Sequence, residues 1–78
     1  MTEYELIHEI QNLCMNNQMR DIFFEEVECD DPEAYVRGLY PGPGVALCVE
    51  RGTGGTVTIH GSVDGILHRF VFTPNYFG

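Results

Sequence analysis

The chain contains no lysine and no tryptophan, and Arg20, Arg37, Arg51 and Arg69 are its only fixed cations, set against 12 aspartates and glutamates. The formal charge of −8 on 78 residues repels phosphate backbones and anionic lipid headgroups. Direct nucleic-acid binding and membrane docking are therefore not expected, and an electrostatic partner has to be a basic protein surface or a cation. Cysteine is also scarce. Cys14, Cys29 and Cys48 are odd in number and widely spaced, which fits neither a disulfide framework nor a C-x-x-C metal knuckle. No apolar run approaches the ~20 residues of a membrane span, and the opening MTEYELIHEI is acidic where a signal peptide is basic. The expectation is a reduced, cytoplasmic protein with no cofactor and no metal site. Chains of this length bury only about 60% of their unfolded surface and build one core, so residues 1–78 are read as a single domain.

The strictest pattern runs from Thr56 to Thr73. Val57, Ile59 and Val63 alternate before Asp64-Gly65, and Ile66, Phe70 and Phe72 alternate after it. Asp-Gly supplies the positive φ values of a two-residue type I′ turn, so Val63 is expected opposite Ile66, Ile59 opposite Phe70 and Val57 opposite Phe72. Val45 to Glu50 alternates as well. With Arg51 to Gly55 as a hairpin loop, Val49 falls opposite Val57 and Leu47 opposite Ile59. The glycine richness of Arg51–Thr56 resembles a phosphate cradle only superficially, because the lysine and the following helix of a P-loop are missing.

The first segment reads as a helix. Thr2 and Glu5 have the spacing of a capping box, and Leu6, Ile7, Ile10, Leu13 and Cys14 recur at helical intervals, with an end expected near Asn16-Asn17. Residues 20–29 have strand composition but break alternation at Phe23-Phe24. Either Ile22 and Phe24 point inward with Glu26 and Glu28, or a bulge lets Phe24 and Val27 share the core. Asp30-Asp31-Pro32-Glu33 is a helix start, predicting a short helical turn near 32–37 closed by Gly38. The predicted fold is α+β, an N-terminal helix packed on a three- to four-stranded antiparallel sheet.

Two sets of residues carry candidate chemistry. Glu25, Glu26, Glu28, Asp30, Asp31 and Glu33 crowd one stretch, and like charges at ~6 Å in water repel by roughly 0.7 kcal/mol per pair. Such a strip is read as a partner-binding element that docks on a basic surface. In its sharper form the protein is a small non-catalytic inhibitor of a nucleic-acid-binding enzyme, mimicking phosphates, of the type phages and mobile elements use against host defence. The competing reading is an edge strand protected from pairing by its charges. The acids lack the spacing of a calcium loop. Cys48 and His60 share a face of neighbouring strands on a diagonal and form the alternative, thiol- or metal-dependent locus. His60 and His68 fall on opposite faces, so they cannot hold one ion, and His68 is expected to fill the space left by Gly61. A homo-oligomer using the outer sheet face, or Tyr76 and Phe77, is the remaining alternative.

Overall fold

The computed structural model describes residues 2–14 and 17–75, and the expectations placed on Met15, Asn16, Tyr76 and Phe77 lie outside them, as does that on the Cys14 side chain. The elements are β1 (Thr2–Cys14), β2 (Asn17–Cys29), α1 (Pro32–Leu39), β3 (Val45–Arg51), β4 (Val57–Val63) and β5 (Ile66–Pro74), with a 3-10 turn at Thr53–Gly55 between β3 and β4. All strands join one five-stranded antiparallel sheet in the order β2-β1-β5-β4-β3.

The expected N-terminal helix is therefore a strand, and the sheet has five strands rather than three or four. The capping box does not form, since Thr2 lies opposite Cys29 and Glu5 opposite Glu26. The reason is visible in the residues. Leu6 and Ile10 satisfy both periods, but Tyr4, Leu6, His8 and Ile10 also alternate with Glu3, Glu5, Ile7 and Glu9. Two neighbouring strands decide between the patterns: β1 pairs with β2 through its full length and with β5 from Tyr4 to Gln11. Asn75 extends the second pairing by donating its N–H to the Glu3 carbonyl at 2.8 Å. β2 runs through Phe23-Phe24 without a bulge. Phe23 and Val27 look toward α1, and Ile22, Phe24, Glu26 and Glu28 toward the outer face.

The β4–β5 hairpin has the expected register, with Val63 opposite Ile66, Ile59 opposite Phe70 and Val57 opposite Phe72. Its corner is Asp64 at φ 51° and Gly65 at φ 83°. The β3–β4 register differs by two residues from expectation, placing Val49 opposite Ile59 and Leu47 opposite Gly61. The turn closes one residue later on each side, at Arg51 and Val57. Gly52 N–H donates to the Thr56 carbonyl at 2.8 Å across it, and Gly54 and Gly55 take positive φ. A shift by two leaves every side chain on its expected face.

One helix covers the sheet, and it lies after β2 rather than before it. Asp31 caps α1 by accepting the Glu33 N–H at 3.1 Å, and Pro32 occupies the first turn. The helix passes through Gly38 to Leu39, where the Tyr40 N–H closes on the Val36 carbonyl at 3.1 Å. Pro32 and Val36 are buried beneath it. Below lie Tyr4, Leu6, Val57, Ile59, Phe70 and Phe72, with Tyr35 edge-on to Phe72 at 6.0 Å and Tyr4 edge-on to the same ring at 5.8 Å. Full burial of each such side chain is worth roughly 1.5–3 kcal/mol.

Phe70 is fully buried and is shared by the β4–β5 and β1–β5 pairings. Its replacement by alanine is expected to lower unfolding free energy by about 3–5 kcal/mol in urea titration. Far-ultraviolet circular dichroism of the wild type is to show a strand-dominated spectrum.

Candidate protein-interaction face

Strand register assembles the acidic surface. Antiparallel pairing puts Glu3 opposite Glu28 and Glu5 opposite Glu26, all on the outer face, away from α1. Same-face neighbours along a strand sit ~7 Å apart and directly opposite residues ~5 Å apart, so four carboxylates occupy two short rows. Like charges directly opposite one another are destabilising. Glu3 and Glu5 were invisible as members of this group while their segment was read as a helix. The pairing of β1 with β2 brings them in.

The six acids of the 25–33 stretch are divided by the structure. Glu26 and Glu28 join the outer group, whereas Glu25 lies opposite Leu6 on the face that α1 covers. Asp30 and Asp31 sit at the turn into α1, where Asp31 serves as the helix cap. Glu33 is in the first helical turn, 3.7 Å from Arg37 Nε. The contiguous run in sequence is thus not a contiguous strip in space.

The same outer face carries a second feature at the other end of the sheet. Cys48, His60, Arg69 and Glu9 form one row across β3, β4, β5 and β1. Cys48 lies directly opposite His60 rather than on the expected diagonal, a consequence of the two-residue register shift. Arg69 Nη2 is bonded to Glu9 Oε2, and His60 Nε2 stands 3.8 Å from Glu50 Oε2. Cys48, His60, Arg69 and Glu9, with Gln11, Ser62 and Leu67, border an open hollow of about 400 Å³. The order thiol, imidazole, carboxylate is that of a nucleophile with a base and an orienting group. Yet Cys48, His60 and Glu50 are all exposed, without the water-excluded surroundings that strengthen electrostatic catalysis. Among the described residues no group of three His, Cys, Asp or Glu could hold a metal ion.

On the opposite face a histidine pair lies under the helix. His8 Nε2 and His68 Nδ1 are 2.9 Å apart, one ring donating and the other accepting. His68 is buried opposite Gly61, as expected, but it does not fill the glycine's space. A Cβ there would meet Leu47 Cδ2 at 3.0 Å. His8 stacks on Phe70 at 4.2 Å and tilts against Phe23 at 6.1 Å, while Tyr40 of the α1 cap lies 5.3 Å from the His68 ring. Burial lowers the pKa of both imidazoles, and the charge His68 would carry lowers His8 further, opposed by Glu25. Burial also raises the phenol pKa of Tyr35 and Tyr40, with the Glu25 charge adding to it.

Comparison with known proteins gives no match to any family model, curated protein or solved structure. Among the described residues no helix is long and apolar enough to cross a membrane.

The histidine pair sets a pH dependence. The folded-state pKa values of His8 and His68 lie below the 6.5 of an unperturbed imidazole, so the unfolded chain takes up protons first as pH falls. Their contribution to stability is fully present above about pH 6.5 and is lost as pH falls through the folded values. Urea unfolding at about pH 7.5 and about pH 5.5, above the main carboxylate range, is to show lower stability at the acid value. The difference is to shrink in His8→Phe.

Proposed function

We propose that this protein is a non-catalytic interaction module that docks the acidic outer face of its β1–β2 hairpin on a basic surface of another protein. The reading rests on one observation: the register sets Glu3 against Glu28 and Glu5 against Glu26, an arrangement that costs folding energy and is relieved by a cation-bearing partner. Cross-strand like-charge pairs are among the contacts a fold selected for stability alone avoids. The absence of lysine keeps the patch free of interspersed positive charge. Glu25, Asp30, Asp31 and Glu33, around the adjoining turn, add to the field that draws a basic partner in. A target whose basic surface ordinarily binds nucleic acid has the complementary chemistry. Occlusion of that surface would make the protein an inhibitor, acting in the cytoplasm. No cofactor enters this reading.

The test is affinity capture from lysate of the native host at low and high salt. Wild type is expected to retain a basic protein at low salt and release it at high salt. The quadruple variant Glu3→Gln/Glu5→Gln/Glu26→Gln/Glu28→Gln is to lose that capture, and undiminished capture by this variant overturns the proposal. In the same variant stability is to rise, by roughly 0.2–1 kcal/mol for each like-charge pair removed, measured by urea unfolding.

A further inference from the structure

The two ends of α1 rest on different floors. At its start Asp31 caps the first turn, Pro32 and Val36 are buried, and Tyr35 stands edge-on to Phe72. At its end Tyr40 lies 5.3 Å from the His68 ring and 6.1 Å from that of Phe70, and the exposed residues Pro41 to Gly44 follow it. The histidine pair is therefore under one end of the helix only.

That pair tolerates one charge but not two. With both rings neutral, or one of them charged, a ring nitrogen remains to accept the N–H of the other across 2.9 Å. With both charged, each facing nitrogen carries a proton, no acceptor is left between them, and two cations stand at hydrogen-bond distance. The backbone cannot part them, because β1 and β5 are each bonded to a strand on both sides. One ring has to turn about its side-chain torsions. His8 is stacked on Phe70 at 4.2 Å and lies beside Phe23, and Asp21 and Glu25 occupy the diagonal positions of β2 on its own face, where they offset its charge. His68 has no such neighbour among the described residues. Ile10 and Gly61 lie opposite it, Leu47 lies beyond Gly61, and Phe70 is next on its face of β5. From α1, Glu33 and Arg37 are engaged with each other, and the Tyr40 phenol is neutral across the acid range, its pKa raised by burial. On the side away from His8 the space over Gly61 is taken by Leu47, whose Cδ2 is 3.0 Å from where a Cβ would stand. A His68 ring that leaves His8 is thus driven against Tyr40.

We infer that the histidine pair is an acid-operated latch on the C-terminal end of α1: when both rings are charged, His68 turns away from His8, Tyr40 is released with residues 41–44, and the Phe70 ring is uncovered. The sheet keeps its backbone ladders, and the first turns of α1 keep their own floor. Both imidazoles titrate below the unperturbed 6.5, so the latch is closed at neutral pH and opens in acid. A fall in stability spread over the whole fold would free both ends of the helix together. Release of one end is what defines a latch.

The experiment is nuclear magnetic resonance of the full chain from about pH 7.5 to about pH 4.5, following the ring protons of His8 and His68 and the nuclear Overhauser contacts of Tyr40 with Phe70 and of Tyr35 with Phe72. The pair is expected to titrate in two macroscopic steps. The Tyr40–Phe70 contact is to be lost with the second step, while the Tyr35–Phe72 contact persists. In His8→Phe/His68→Leu, which leaves no titrating ring under Tyr40, the Tyr40–Phe70 contact is to survive over the same range. Wild type alone decides the outcome where that variant does not fold. A Tyr40–Phe70 contact that survives charging of both rings, that is lost before the second step, or that disappears together with Tyr35–Phe72 overturns the latch, as does its equal loss in the folded double variant.

Discussion

The structure depends on the insertion of β1 between β2 and β5. Without it the molecule would be a β3–β4–β5 meander with an unpaired hairpin and a helix lacking a complete floor. With it, Leu6 is placed opposite Phe72, and His8 opposite Phe70, giving α1 a continuous apolar surface on which Val36 is buried. The pairing joins residues about sixty positions apart in the chain, so loop-closure entropy must be overcome before its contacts contribute. The same event makes β2, rather than β5, the edge of the sheet opposite β3.

That single constraint has consequences on the two faces. Toward the helix it brings His8 to His68, a polar pair inside an aromatic setting that is satisfied while at least one ring is neutral. Toward the outside it forces Glu3 and Glu5 against Glu28 and Glu26. The first arrangement stores sensitivity to acid within the core, and the second concentrates repulsion at the surface. Small domains are stable by only about 5–15 kcal/mol, so neither cost is negligible. Of the two, the carboxylate grouping is the one that lies on the outer face.

Much of the fold was legible locally. The β4–β5 register followed from Asp64-Gly65 and the alternation around it, and α1 followed from Asp31-Pro32. The separation of His60 from His68 followed from strand parity alone. The first segment was misread because Leu6 and Ile10 fit periods of both 3.6 and 2, and the capping spacing of Thr2 and Glu5 tipped the local balance toward a helix. The β3–β4 register was missed by two residues because alternation fixes parity alone, and the five-residue loop lies one position further along than expected, from Gly52 to Thr56, with Gly54 and Gly55 at positive φ. For the candidate site, Glu26 and Glu28 could be found from the sequence. Their companions Glu3 and Glu5 could not, since they join only through long-range pairing.

Charge, the absence of lysine, the hairpin corner and the cap of the short helix were determined by the sequence itself, because each is a property of one residue or of neighbours in the chain. Which carboxylates stand together, which histidines touch and which strand is left at the edge were decided only by the tertiary structure. These are properties of strand order and register, and for β1 both local patterns were available until hydrogen bonding to two distant strands, and the burial that came with it, favoured one.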